Sequence, residues 1–219
     1  MEANHASEKI VEARSTLYGA VSSLFSDPGC EKFSMLLTPI IQGGILDACF
    51  QLDEDESLKK SKLSNSFQKL LIKLDKSNME KISGEYVNVF GHTLSKKTAP
   101  YALEHLKNSD VFFRTQKLAD LNAFYRAFAM EVESIERADH IATQTEFLSF
   151  ILLKELLAIE KDLNDEKEVC EKAILDFQKD HFLEWTIIFS ENLSTYVDGD
   201  FYPDAGKFLY EFLRKEKSQ

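Results

Sequence analysis

Residues 137–140 read Arg-Ala-Asp-His and run directly into an apolar stretch, Ile141 to Ile159. An acid beside a histidine supports three chemistries: a metal-ligand pair, an acid/base dyad, or a polar site that receives another polypeptide. A di-iron carboxylate bundle needs Glu-x-x-His pairs, because spacing i, i+3 puts both ligands on one helix face. The residues three before the five histidines are Glu2, Val89, Ala102, Arg137 and Gln178, so only Glu2-x-x-His5 fits, and it lies in the N-terminal tail. H-E-x-x-H is absent, and Asp139-His140 reverses the His-Asp order of metal-dependent phosphohydrolases. No metal or other cofactor is expected.

Other catalytic patterns fail in the same way. There is no G-x-S-x-G elbow, and Gly43-Gly44 lacks the third glycine and the Lys-Ser/Thr of a phosphate loop. Cys30, Cys49 and Cys170 are odd in number, far apart and outside any C-x-x-C pair, as in a reducing cytosol. Cys49 and Cys170 read as inert core thiols. Adjacent helical side chains point about 100° apart, which weakens an Asp139/His140 dyad. The enzyme reading that remains needs convergence in space, for instance of Asp139, His140 and His181. The bland reading of Asp139 is an N-cap for the apolar helix, with His140 as its first residue, where the helix dipole favours neutral imidazole.

The elements that would position these residues are helical. Ile10, Leu17, Val21 and Leu24 share a face in a first helix from about Ser7 to Phe25. Residues 31–52 are helical in composition, with breaks expected at Pro39 and Gly43-Gly44, and DEDES (53–57) reads as a solvated turn. Leu63, Phe67, Leu70 and Leu74 define a further amphipathic helix. Ser77-Asn-Met-Glu80 fits a capping box for a helix carrying Met79, Ile82, Tyr86, Val89 and Phe90, with Gly91 as a left-handed stop. Residues 92–106 are the least periodic stretch of their length and read as a long loop. Leu121, Phe124, Tyr125, Phe128 and Val132 mark another helix. Residues 139–161 contain FLSFILL and predict a central buried helix. A helix from about Glu166 to Val197, a break at DGD (198–200) and a last helix with a frayed end complete the chain. The expectation is an all-α fold, one compact domain over residues 1–219, of roughly eight helices and one long loop.

Charge narrows the partners. Lys and Arg number 26 against 37 Asp and Glu, a net charge of −11. That argues against nucleic acid and anionic membranes, both polyanions, and favours a basic partner or none. No stretch approaches the ~18 apolar residues needed to span a bilayer, and the N-terminus has no apolar leader core. A cytoplasmic location without stable membrane insertion is expected.

Five features taken in order resemble the TorD/DmsD/NarJ-type redox-enzyme maturation chaperones. They are LYGAVSSLFSDP at the end of the first helix, EYVNVFG (85–91), the loop APY (99–101), the Asp-His segment with the glutamate before it, and FQKDHFLEW (177–185). The family is all-helical and non-catalytic. The resemblance implies binding of the twin-arginine signal peptide, and of the apo-form, of a molybdopterin-containing oxidoreductase, which holds back export until its cofactor is inserted. Carried over position by position, it nominates Asp139, His140, Tyr86, Val89, Phe90, Pro100, Tyr101 and Phe25 for the peptide site. Arg137 stands where the family often has Pro, Ala99 replaces the first loop proline, and Gln144-Thr145 replaces Glu-Leu. Monomers and domain-swapped dimers both belong to the family, and the 92–106 loop would serve as hinge.

Overall fold

The longest apolar stripe near the N-terminus builds the first structural pair. The computed structural model describes residues 2–53, 63–91, 98–106, 110–132 and 137–217, with the side chains of 2–6 excepted. Helix α1 (Glu2–Leu24) buries Val11, Leu17, Tyr18, Val21 and Leu24. It is followed by the short α2 (Glu31–Ser34), α3 (Pro39–Asp53), α4 (Leu63–Lys73), α5 (Met79–Phe90) and α6 (Val111–Ala127). Then come α7 (Ile141–Glu160), α8 (Asn164–Phe177), α9 (Leu183–Ser194) and α10 (Phe201–Glu216). No strand occurs among the described residues, and the fold is all-α.

Helix α7 is the expected central helix, although Leu153 and Leu157 leave one of its faces exposed rather than buried all round, and α1 lies along it in the opposite direction. Ser15 Oγ donates to Ser149 O at 3.0 Å, and Ser22 Oγ donates to Ala142 O at 2.6 Å, so rising numbers on one helix meet falling numbers on the other. Small residues and hydroxyls at this seam let the backbones approach while every buried hydroxyl keeps an acceptor. Helices α9 and α10 form the second tight pair. A Cβ at Gly206 would come within 2.8 Å of Ser194 N, so only glycine permits that crossing. Phe25, Phe67, Phe147, Phe177, Phe189, Phe208 and Tyr202 form an aromatic layer of the core, each fully buried. A buried aromatic contributes roughly 2–3 kcal/mol by area alone, so this layer dominates the core.

Several local expectations are corrected. Helix α1 begins at Glu2 rather than near Ser7. Pro39 opens α3 as its first residue, where its missing N–H costs nothing, and Gly43-Gly44 sit inside that unbroken helix. Of the expected turn 53–57, only Asp53 is described. It is tucked in, accepting from Leu63 N, Ser64 N and Ser64 Oγ at 2.8–3.0 Å, and so caps α4. Ser77 does not form a capping box: Asp75 accepts from Ser77 N at 2.8 Å at the start of a 3₁₀ turn, Lys76–Asn78. Gly91 stays right-handed at φ −78°, so it is no left-handed stop. The Leu121 stripe outlasts its helix, since α6 ends at Ala127 and Ala129 turns the chain at φ 59°. The expected 166–197 helix divides into α8 and α9 around a π-helical turn, Gln178–Phe182. The expected loop is partly a 3₁₀ turn, Ala102–His105, while 92–97 lie outside the described residues.

The end of α10 is docked rather than frayed. The Glu216 carboxylate accepts from Arg14 Nε and Nη2 at 2.9 Å, from Tyr18 Oη at 2.8 Å and from Gln178 Nε2 at 2.6 Å. Burying an acid is tolerated there because four donors and a full countercharge replace water. Among the described residues no single helix is long and apolar enough to cross a membrane.

Candidate functional site

Helix α7 begins where two non-helical segments pair. Residues Tyr101 and His140 form an antiparallel bridge: Ala102 N donates to Asp139 O at 3.0 Å, and Ile141 N donates to Pro100 O at 2.9 Å. This stitch brings the loop nominated by APY onto the Asp-His segment. His105 seats the loop from its other end, with Nε2 donating to Ala99 O at 2.8 Å and the ring tilted against Trp185 at 5.4 Å.

The expected roles of the two central residues are exchanged. His140, not Asp139, is the N-cap of α7, and its Nδ1 accepts from Ala142 N at 3.2 Å. The ring is 1% exposed, and burial together with Arg137 and Lys32 lowers its pKa from the usual 6.5 to about 4. Nδ1 is therefore an acceptor at neutral pH, as a cap requires. Asp139 lies one residue earlier and is fully buried. Its Oδ1 accepts from Arg137 Nε at 2.9 Å, and its Oδ2 accepts from Arg137 Nη2 at 2.8 Å and Leu103 N at 3.0 Å. The Arg137 guanidinium lies 4.4 Å over the Tyr101 ring, and its Nη1 is 3.6 Å from Glu104 Oε1. Arg114 holds Glu104 from the far side at 3.1 Å and also donates to Leu103 O at 2.8 Å.

Three of the four remaining nominated residues form a second group. Phe25, Tyr86 and Phe90 meet in one aromatic cluster with Tyr202 and Phe189, at centroid separations of 4.9–6.4 Å. His105 touches the same Phe189 at 6.1 Å, so the loop links the two groups. Their exposure separates them further. Phe25, Val89, Pro100, Asp139 and His140 are buried, whereas Tyr86, Phe90 and Tyr101 are partly open. The Tyr202 hydroxyl is buried without a hydrogen-bond partner among the described residues, and burial pushes its pKa up.

His181 has other neighbours. Its ring lies against Phe124 at 5.3 Å and Phe177 at 5.6 Å, whereas the His140 ring meets Tyr101 edge-on at 5.0 Å. Among the described residues no group of three or more His, Cys, Asp or Glu side chains is placed to hold a metal ion. Burial raises the pKa of Cys49 and Cys170, which keeps both thiols protonated and unreactive.

An open cleft of about 720 Å³ starts at the first turn of α7. Met130, Phe150 and Leu153 give it apolar walls, and Asp27, Glu131 and Glu146 stand on its rim. Glu146 is paired with Lys32 at 2.9 Å. Thr143, which also lines the cleft, donates from Oγ1 to Arg137 O at 3.2 Å, so the cleft and the Asp139 network share a wall. Sequence reasoning missed Glu104, Arg114, His105 and the cleft. Glu104 and His105 sit on a short 3₁₀ turn, Arg114 lies in the first turn of α6, and the cleft walls come from segments far apart in sequence, so no periodic pattern joins them.

The described residues form an all-helical bundle whose central helix begins at a polar site beside an apolar cleft. Residues 54–191, well over half of the chain, match the model of the family described as nitrate reductase delta subunit. The chain belongs to that family, a family of chaperones for molybdoenzyme maturation. No curated protein matches the chain in sequence.

Proposed function

We propose that this chaperone binds, in the cytoplasm, the twin-arginine signal peptide of a molybdopterin-containing oxidoreductase and holds the apo-enzyme until its cofactor is loaded. The cleft at the start of α7 carries the reading. A signal peptide brings paired arginines followed by an apolar run, and the cleft offers carboxylates on its rim with Met130, Phe150 and Leu153 behind them. The apolar run would lie against those walls, and the arginines would reach the rim and the Tyr101 edge. A net charge of −11 favours encounter with a basic segment. Whole-domain action over residues 1–219 is part of the same proposal, since α1, α7 and α10 must all be present to shape the site.

The nominated residues divide between framework and contact. Asp139, His140, Pro100, Val89 and Phe25 are buried and would shape the site, while Tyr101, Tyr86 and Phe90 would touch the peptide. Titration calorimetry with a synthetic leader peptide tests this using Phe150→Ala and Tyr101→Ala. Each is expected to weaken binding about tenfold or more, as truncation of an aromatic anchor does. Unchanged affinity in both variants, with helicity preserved, would sink the assignment.

A further inference from the structure

We propose that the start of α7 carries a guanidinium site made by Asp139, Glu104 and the Tyr101 ring, that Arg137 fills it in cis, and that the arginine of a client peptide enters by displacing Arg137. The exchange rests on the signal-peptide reading above, but the chemistry of the site does not.

Four features define the ligand. The buried Asp139 carboxylate takes the fork of a guanidinium through two parallel bonds at 2.8–2.9 Å. Tyr101 covers the plane of the cation at 4.4 Å, and Glu104 approaches the remaining nitrogen at 3.6 Å. Leu103 N donates to Asp139 Oδ2 at 3.0 Å whichever arginine is present, so the carboxylate stays oriented through the exchange. A planar five-donor cation satisfies all of these at once, whereas a lysine ammonium is a point charge that matches neither the fork nor the ring face.

The occupant is placed to leave. The Arg137 side chain is 43% exposed, against 0% for Asp139, so only the acceptor is committed to the interior. Removing the cation alone would leave a buried charge unpaired, which is costly. Replacement by another guanidinium keeps the charge paired, and the released Arg137 is solvated. Arg14 gives the contrast: it forks onto Glu216 with a side chain only 14% exposed, and Tyr18 and Gln178 donate to the same carboxylate, so more than one donor would have to be displaced there. The shared wall at Thr143 puts the exchange point beside the apolar cleft, as a peptide with arginines ahead of an apolar run requires. A cis ligand that leaves the site open about a tenth of the time raises the apparent Kd about tenfold and admits only peptides that bring their own guanidinium.

Thermal melts of the full chain test the site with ethylguanidinium as probe and ethylammonium as control. Arg137→Ala is expected to melt below wild type and to regain most of the loss, saturably, with ethylguanidinium and little of it with ethylammonium. Equal recovery with both ions, or with neither, overturns the site. Should Arg137→Ala fail to fold, the Arg137 Nε–H resonance of the wild-type protein replaces the melt. Excess ethylguanidinium must shift it towards the solvated position and ethylammonium must not; an unmoved resonance overturns the site. A synthetic peptide with paired arginines ahead of an apolar run is expected to bind Arg137→Ala about tenfold tighter than wild type. Its lysine-substituted form is expected to bind both weakly. Recovery by ethylguanidinium without any peptide binding removes the signal-peptide reading and keeps the site. Peptide binding that leaves the Arg137 resonance unmoved removes the exchange and keeps the receptor.

Discussion

Glu85 reaches from α5 to the start of α10, where its two oxygens accept from the backbone N–H groups of Asp200, Phe201 and Tyr202 at 2.8–3.0 Å. Asp139 is equally a buried acid at a helix start, yet its partners are one side chain and the backbone of a loop. The first acid answers the unpaired donors of a core helix, and Gly199 clears its path: a Cβ there would fall 2.7 Å from Glu85 Oε1. The second leaves the donors of α7 to His140 and holds Arg137 and Leu103 instead. One acid fixes architecture through partners that cannot leave. The other fixes a site through a partner that can.

The largest test of this contrast is Glu85→Ala. It orphans three N–H groups at a buried helix start and is expected to cost about 4 kcal/mol in urea denaturation, leaving any peptide affinity of the folded fraction unchanged. A loss below 1 kcal/mol would erase the distinction between the two acids. Next is the pH response of the other helix start. His140 titrates near 4 when folded and near its usual 6.5 when unfolded, so the unfolded chain binds the proton first as pH falls. Its contribution is full above pH 6.5 and is lost towards pH 4, about 3 kcal/mol in all. His105 and His181 are also lowered by burial and act in the same direction. The measurement is therefore a difference: His140→Asn keeps a capping oxygen and should flatten the profile between pH 6.5 and 4 relative to wild type. Parallel profiles would show that the ring is not the titrating cap. The smallest test lies at a third, exposed helix start. Asp75→Ala should lower the urea midpoint slightly, while Glu80→Ala should leave it nearly unchanged, since Asp75 and not a capping box serves Ser77 N.

Periodicity made the helices legible. The Leu63–Leu74 stripe, the all-round apolar α7 and the break at DGD are local patterns, and the buried faces follow them. What stayed hidden depends on groups brought from elsewhere. Asp139 and His140 can each cap a helix; the choice goes to His140 because Leu103 N and Arg137, from the loop and the turn, claim the carboxylate. Gly43-Gly44 remain helical in spite of their propensity cost because α3 is held by the buried Ile45, Ala48, Cys49 and Leu52. The charged end of α10 looks frayed until Arg14, 202 positions away, supplies its countercharge. At the candidate site the resemblance named buried residues such as Asp139 and His140 together with the partly open Tyr86, Phe90 and Tyr101, whereas the pairing of Arg137 with Asp139 and Glu104 and the walls of the cleft came from tertiary geometry.

The same long reach sets the order in which the molecule can be assembled. Ser15 meets Ser149 across 134 positions, and Arg14 meets Glu216 across 202. At about 5–20 residues per second, the apolar face of α1 leaves the ribosome on the order of ten seconds before its partners are made. Until α7 and α10 arrive, Leu17, Tyr18 and Val21 have no final place to pack, and pairings so distant in sequence close slowly. A protein that guards the unfinished state of another thus passes through a long unfinished state of its own during synthesis.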